Sequence, residues 1–293
     1  GLAIRAKVLR ALREFFWQHD FLEVETPTRV PSPGLDLHLD AFPSEDRWLI
    51  TSPEYQMKRL LAAGATRIVQ VGRCFRKGEI GAHHEPEFTM AEWYRASASM
   101  SDVMADTEAL VAFVTKSVLG TTVLPCGADV ASPWERLRVE DAFRRYAQVE
   151  VRAVLPDEER FFRLLIEKVE PALLDRPVFL THWPASMASL ARIDPNDPNV
   201  CERFEAYVGG LELCNGFGEL VDPVEQRARL ERDQEARRRA GQVVYPHDER
   251  FLGALEKGIP PSGGNALGVD RLAMLVAGAS CIQDVVAISD RDL

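Results

Sequence analysis

The spacing of apolar residues changes several times along the chain, and each change marks a predicted element. Over residues 2–19, Leu2, Ala6, Leu9, Leu12 and Phe16 recur at helical spacing with Arg5, Lys7, Arg10, Arg13 and Glu14 between them, which predicts an amphipathic helix. Residues 21–26 (FLEVET) predict a short strand that Pro27 stops. Proline donates no backbone hydrogen bond, so this strand end belongs at an edge or an interface. Residues 29–39 read as a loop that ends in a strand-like stretch over 35–42. A strand beginning at Trp48 breaks at Ser52-Pro53, and residues 54–63, with Tyr55, Met57, Leu60 and Leu61 apolar, predict a helix. Proline near a helix start is well placed, because the first turn has no backbone hydrogen bond to lose.

The stretch from Arg73 to Arg95 predicts a hairpin. A basic strand with Val69, Val71, Cys74 and Phe75 ends on Arg76, a polar turn follows, and the apolar run 88–91 leads into Glu92 and Tyr94. Residues 101–118 predict a helix capped by Ser101-Asp102, and residues 138–146 and 158–170 predict two more. A strand is expected over 178–181, an exposed turn cluster at 194–199 (DPNDPN), and one or two strands over 201–213, ended by Asn215-Gly-Phe-Gly-Glu219. The charged run 225–240 predicts a solvent-facing helix. The glycine-rich residues 260–266 read as a turn leading into a helix over 267–277. There is no internal repeat, low-complexity tract or long linker, so a single α+β domain is expected.

Bulk properties narrow the function classes. The five cysteines are scattered with no CxxC pair, which argues against a zinc knuckle or disulfide framework and fits a reducing cytoplasm. No apolar run approaches a membrane span and no signal-peptide pattern opens the sequence. A net charge of −10 does not suit a broad grip on a phosphate backbone. The run Arg237–Arg239 is a local basic patch whose simplest reading is a solvated helix face.

Four pieces place chemistry-bearing residues at strand ends or helix starts. The first is Ser52-Pro53-Glu54. The second is the hairpin, where Arg76 suits a phosphate oxygen through its planar fork and Glu92 with Tyr94 suits a cation. The third is Glu205, Glu212, Asn215 and Glu219. Glu205 and Glu212 could converge on one hard cation only if Gly209-Gly210 breaks the strand, since a seven-residue gap on one regular strand puts them on opposite faces; otherwise they are two unrelated surface carboxylates. The fourth is Gly268-Val-Asp-Arg271, where a helix start and a guanidinium favour an anion. The adjacent His83 and His84 lack further ligands nearby and read as loop histidines.

Taken together, the helix and strand ending at Pro27, the Arg76-bearing hairpin and the late Gly268-Val-Asp-Arg271 before an apolar helix resemble the three signature motifs of class II aminoacyl-tRNA synthetases. Four segments, TSPEYQMKRLL (51–61), PEFTMAEWYR (86–95), LELCNGFGEL (211–220) and ALGVDRLAML (266–275), carry the resemblance further, in family order and over nearly the whole chain. The nearer resemblance is to the lysyl branch, and within it to the ligases that attach (R)-β-lysine to elongation factor P. Ser52 and Ala266 tilt toward these ligases, as does the lack of room for an N-terminal anticodon-binding OB-fold. The resemblance implies a mostly antiparallel sheet flanked by helices and an ATP-dependent ligase that activates (R)-β-lysine, or lysine, as an adenylate. It also implies Mg²⁺ as a cofactor, elongation factor P as protein substrate, tRNA as an unfavoured acceptor, and a homodimer in the cytoplasm.

By the same resemblance, Glu54 with Ser52 and Pro53 would hold the amino group near the reacting end, and Glu92, Tyr94 and Glu219 the distal ammonium. Asn215, Phe217 and Ala266 would shape the pocket. Arg76 would grip the α-phosphate, with Lys77, Gly78, Glu85 and Leu213 near the nucleotide. Glu205 and Glu212 would coordinate magnesium, Gly268 would let ATP approach closely, and Arg271 would bind its phosphate tail. Three residues depart from the family pattern: Gly78 stands at a glutamate position, Ala82 at one that often holds arginine, and Glu85 replaces a more usual asparagine. A truncated lysyl-tRNA-synthetase-like enzyme and a non-catalytic regulatory paralogue are the alternatives.

Overall fold

The amphipathic helix forms as its spacing predicts. In the computed structural model, which describes residues 1–34 and 36–293, it is α1 (Leu2–Gln18), burying Val8, Ala11, Leu12, Phe15 and Phe16. Four short strands follow: β1 (Leu22–Glu23), β2 (Arg29–Val30), β3 (Pro43–Ser44) and β4 (Arg47–Leu49). Then come α2 (Glu54–Ala62), β5 (Arg67–Phe75), β6 (Glu87–Ala96), α3 (Met100–Leu119) and β7 (Glu135–Arg138). Three short helices, α4 (Val139–Ala142), α5 (Val151–Val154) and α6 (Glu158–Leu164), lead to β8 (Val178–Pro184). The chain ends through β9 (Val200–Val208), β10 (Leu211–Gly218), α7 (Pro223–Arg239), α8 (Glu249–Lys257), β11 (Ser262–Gly268) and α9 (Val269–Ala277).

Eight strands form one sheet in the order β1-β5-β6-β11-β10-β9-β8-β7, antiparallel except at its two edges, where β1/β5 and β7/β8 run parallel; β2, β4 and β3 form a small separate sheet. The period-2 alternation divides the large sheet chemically. Val69, Ala91, Trp93, Ala206, Val208 and Leu267 face a core closed by α1, α3 and α9. The opposite face carries Glu92, Ala266, Asn215 and Glu205 in one register row across β6, β11, β10 and β9. Burying one face against helices leaves the other free to hold polar groups, and that row is the floor of the site. Asp270 ties the layers together: it pairs with Arg5 of α1, and its Oδ2 accepts the Thr89 backbone N–H at 2.7 Å.

Several expectations need correction. The glycine-rich residues 260–266 are not a turn, because Ser262–Gly268 is a central strand. Its glycines serve close packing. A methyl group at Gly264 would overlap the Glu219 carboxylate and the Tyr94 ring, and one at Gly263 would overlap Val103. Strand β10 likewise runs through Asn215 to Gly218 instead of ending there. The strand-like stretch over 35–42 does not form over its described residues 36–42, and Leu35 lies outside the described residues. That segment is held as a loop by Arg237, whose guanidinium donates to the carbonyls of Asp36 (2.7 Å) and Leu39 (3.0 Å) and pairs with the Asp40 carboxylate at 2.5 Å.

Arg237 is 0% exposed, so α7 is not a purely solvent-facing helix, and the Arg237–Arg239 run splits into one buried anchor and two surface arginines paired with Glu235. Helix α3 is capped by Ser99 in a capping box with Asp102, two residues earlier than Ser101. Helix α8 was not expected at all. Its nine residues bury Phe251, Leu252, Ala254 and Leu255 against α2, with Phe251 stacked on Tyr55.

Candidate active site

The amino-acid-binding candidates meet where α2 begins beside β6. Proline at position 53 stands as the N-cap of α2, and the Ser52 hydroxyl oxygen accepts the Glu54 backbone N–H at 3.1 Å. The same hydroxyl donates to Glu92 Oε2 at 2.7 Å, and Tyr94 Oη donates to Glu92 Oε1 at 2.6 Å, so both oxygens of this buried carboxylate are engaged by neutral donors. Glu219 follows the end of β10 and is 1% exposed. Lys58, one helical turn after Glu54 and not foreseen as a site residue, places its Nζ 2.6 Å from Glu54 Oε1 and 2.5 Å from Glu219 Oε2. Asn215 and Ala266 are register partners on the floor, with Ala266 between Asn215 and Glu92, and Asn215 Oδ1 is buried without a hydrogen-bond partner. Phe217 lies two residues along the same strand face, opposite Gly264.

Electrostatics follow from crowding charge away from water. Burial raises the Glu92 carboxyl to about 7 and the Glu219 carboxyl to about 8, with Glu54 adding repulsion in both cases. Lys58 opposes both shifts. Burial would discharge Lys58, but Glu219 and Glu54 together overcome that and raise its pKa, keeping the ammonium charged. A ligand ammonium at this cluster selects the ionised carboxylates and so displaces their protons. Calorimetric titration of a lysine-type amino acid near pH 7, in buffers of different ionisation enthalpy, is expected to show net proton release that fades above about pH 9. Binding heats independent of the buffer would contradict these carboxyl shifts.

The phosphate-binding candidates form the adjoining wall. Arg76 stacks over the Phe88 ring at 5.1 Å, its Nε donates to the Thr51 carbonyl at 3.4 Å, and Glu79 lies 3.7 Å from its guanidinium. It therefore leans over the residue before Ser52. The buried Cys74 thiol is raised first by burial and then by Glu92, with Arg76 opposing, which puts both charged groups within reach of one sulfur. Lys77 is exposed, and its backbone N–H donates to the Asp40 carbonyl at 2.7 Å; Gly78 takes the left-handed conformation (φ 84°) that opens the turn.

Arg271, in the first turn of α9 after Gly268, donates to the Glu212 carbonyl at 2.7 Å and lies 2.7 Å from His84 Nε2. Burial and the adjacent Arg271 charge lower the His84 pKa, so its ring is a neutral partner. Glu85 is 4% exposed and already committed: Oε1 accepts from Gln283 Nε2 at 2.6 Å and Oε2 from the Asp290 backbone N–H at 2.9 Å. With Ile282 N–H donating to the Ala82 carbonyl at 2.7 Å, the C-terminal segment holds the far end of the turn. Glu85 borders the nucleotide side through this tethered loop, with neither carboxylate oxygen free.

The third piece depends on the Gly209-Gly210 break. Both glycines adopt positive φ (57° and 77°), so β9 folds back as β10 and Glu212 pairs with Tyr207, bringing Glu205 and Glu212 to one face of the hairpin. Glu205 Oε1 accepts from Arg203 at 2.7 Å and Oε2 from Tyr207 Oη at 2.9 Å, while Glu212 lies 3.4 Å from Arg271. Burial raises the Glu205 carboxyl to about 7, Arg203 opposes this, and Glu212 adds to it. Leu213, between the bulge residues Glu212 and Cys214, is buried. No third His, Cys, Asp or Glu joins them in a metal-binding group among the described residues. Two carboxylates on one hairpin face are a donor set of the kind that fits Mg²⁺, an ion that keeps several waters beside one or two carboxylates.

The family model for tRNA synthetases class II (D, K and N) matches residues 1–291. A protein of Proteus mirabilis (strain HI4320) named elongation factor P--(R)-beta-lysine ligase is 42% identical, with 98% of this chain and 94% of the relative covered. Proteins of the same name from Klebsiella pneumoniae (strain ATCC 700721 / MGH 78578) and Photorhabdus laumondii (strain DSM 15139 / CIP 105565 / TT01) are each 41% identical, covering 99% of this chain and 94% of theirs. The chain belongs to the class II tRNA synthetase family (D, K and N), in its branch of elongation factor P–(R)-β-lysine ligases.

Proposed function

We propose that this chain activates (R)-β-lysine with ATP and transfers it to a lysine side chain of elongation factor P. The observation that carries the reading is the cluster of Glu54, Glu92 and Glu219 beside Arg76 and Arg271. The buried Glu92 and Glu219, with the partly buried Glu54, supply counter-charge for a diammonium amino acid, next to guanidiniums suited to a triphosphate. In the first step a substrate carboxylate oxygen attacks the α-phosphorus of ATP, the bond to the β-phosphate oxygen breaks, and pyrophosphate leaves. The carboxylate is already ionised, so no general base is needed; the barrier falls through alignment and neutralisation of crowded negative charge. Arg76 holds the α-phosphate and Arg271 the phosphate tail, with Lys77, Gly78, Glu85, Leu213 and Gly268 bordering the nucleotide. Glu205 and Glu212 would hold Mg²⁺, which supplies Lewis-acid stabilisation of phosphate oxygens when bound.

Glu54, with the Ser52-Pro53 turn, holds the amino group near the reacting end. Glu92, Tyr94 and Glu219 hold the distal ammonium, and Asn215 and Phe217 line the space between. In the second step a neutral acceptor amine attacks the activated carbonyl, AMP leaves, and the nitrogen loses a proton. Burial of the acceptor lysine at the docked interface lowers its pKa from about 10.4 and favours the neutral form. The net charge of −10 favours a basic protein loop over tRNA as acceptor. Five free cysteines support a cytoplasmic setting, and no helix among the described residues is long and apolar enough to cross a membrane. ATP–pyrophosphate exchange is the first test: stimulation by (R)-β-lysine well above α-lysine supports the reading, and equal stimulation with label appearing on tRNA overturns it.

Ala266 is the proposed discriminator between the two isomers. It sits on the pocket floor between Glu92 and Asn215, so its methyl group occupies space that a shifted amino group would need. Ala266→Gly should move preference toward α-lysine by about tenfold or more, the range that one methyl group controls. Unchanged relative kcat/KM would remove Ala266 from that role. We also place the protein in a homodimer. Trp17 and Leu22 are 78% and 62% exposed beside the unpaired side of the two-residue strand β1, an apolar edge suited to a second copy. Light scattering at micromolar concentration is expected to give a dimer mass, and a monomer mass would refute it.

A further inference from the structure

Lys58, within the Glu54–Glu92–Glu219 cluster, carries a charge of the same sign as the ammonium groups the pocket is read to bind. Its side chain is 1% exposed, and its Nζ touches two carboxylates at 2.5 and 2.6 Å while lying 6.0 Å above the Tyr94 ring. A lysine that served only to satisfy a buried glutamate would need one partner. Here a third carboxylate, Glu92, lies beyond its bonds and is served only by the Ser52 and Tyr94 hydroxyls, which carry no charge. With all three carboxyls ionised, one ammonium leaves the cluster two positive charges short. Buried charge without a partner is costly, so the cluster is built to receive cations.

We propose that Lys58 is a positioning and specificity residue that acts as a resident ammonium: by bridging Glu54 and Glu219 it fixes both carboxylates and sets the remaining deficit at two charges, the number that a diammonium amino acid supplies. An amino acid with one ammonium leaves one carboxylate bare. Without Lys58, Glu54 and Glu219 face each other across the space its Nζ spans, and like charges that close share a proton. That proton then stands in for the ammonium. This inference rests on the reading of the pocket as one for a lysine-type amino acid.

The test is amino-acid-dependent ATP–pyrophosphate exchange by the full chain across about pH 6 to 8. Lys58→Gln removes the charge and keeps two hydrogen-bond donors, on a side chain one bond shorter. It is expected to raise KM for (R)-β-lysine about a hundredfold at pH 8, with KM for ATP unchanged. Its pH trend is the sharper readout, because a space-filling role would not move it. Wild-type KM should improve as pH rises and the carboxyls ionise, whereas Lys58→Gln should improve as pH falls and the bridging proton is gained. Should that variant not fold, Lys58→Arg, which keeps the charge, is expected to hold KM within about tenfold and preserve the wild-type trend. A folded Lys58→Gln with wild-type KM and pH trend, or a Lys58→Arg as impaired as a neutral variant should be, overturns the inference alone. A wild-type enzyme with no lysine-dependent exchange overturns the underlying reading and this inference with it.

Discussion

Replacing Arg76 with alanine is expected to slow adenylate formation about a thousandfold, with the KM for the amino acid nearly unchanged. The effect is large because the first step has no proton to move. A carboxylate approaches a polyphosphate that already repels it, and the barrier is mostly the cost of that charge. Arg76 is held for this task by its stack on Phe88 and its bond to the Thr51 carbonyl, next to the turn that presents Ser52 and Glu54. A guanidinium fixed at both its face and its Nε loses little freedom on meeting phosphate. Arg76→Lys should recover only a small part of the rate, because an ammonium lacks the planar fork and the stack. Single-turnover kinetics would show a slowed chemical step. A loss confined to the KM for ATP would mean that Arg76 binds the ground state and transition state equally.

Glu219→Gln is expected to raise the KM for lysine-type substrates by about two to three orders of magnitude, the range for removing one partner of a buried charge pair. The substitution keeps size and shape, so the fold should survive; Lys58 retains Glu54 at 2.6 Å. Circular dichroism and the KM for ATP should therefore match wild type while amino-acid affinity collapses. Discrimination should collapse with it, since an analogue lacking the distal ammonium would no longer leave a carboxylate unpaired. If the variant binds the diammonium substrate as well as wild type, Glu219 is only the structural partner of Lys58.

The fold class was legible because helical and two-residue periods are strong in α1, α2, α3, β5 and β6, and the site motifs were legible as ordered segments at family separations. What escaped the sequence has specific physical reasons. Strand β11 reads SGGNALG, which lacks the β-branched and aromatic residues that mark a strand. Its glycines answer to the Glu219 carboxylate and Tyr94 ring packed over them, neighbours far away in sequence. Lys58 escaped because a glutamate and lysine four residues apart on a helix look like an ordinary surface pair. The available signal was the apolar setting on both sides, Met57 and Leu61, both buried. Arg237 carried no local signal at all. Nothing in three consecutive arginines says which one will lie beneath a loop two hundred positions away in the chain, and only the tertiary fold singles it out.

The two carboxylate oxygens of Glu85 are bound by Gln283 and the Asp290 backbone. The turn that carries Gly78 and Ala82 is thereby fastened at its far end by the C-terminal segment and by Arg271 at His84. A loop held from outside needs fewer of its own side chains to keep its place beside Arg76 and Arg271.

The central claim is that one buried carboxylate cluster and one pair of arginines join an activated (R)-β-lysine to a protein amine. The most direct measurement is the intact mass of elongation factor P after incubation with the purified chain, ATP, Mg²⁺ and (R)-β-lysine. A mass gain of one β-lysyl group on a lysine of elongation factor P is expected, dependent on ATP and lost with Arg76→Ala. An unmodified elongation factor P, from an enzyme that still performs lysine-dependent pyrophosphate exchange and charges tRNA instead, would contradict it.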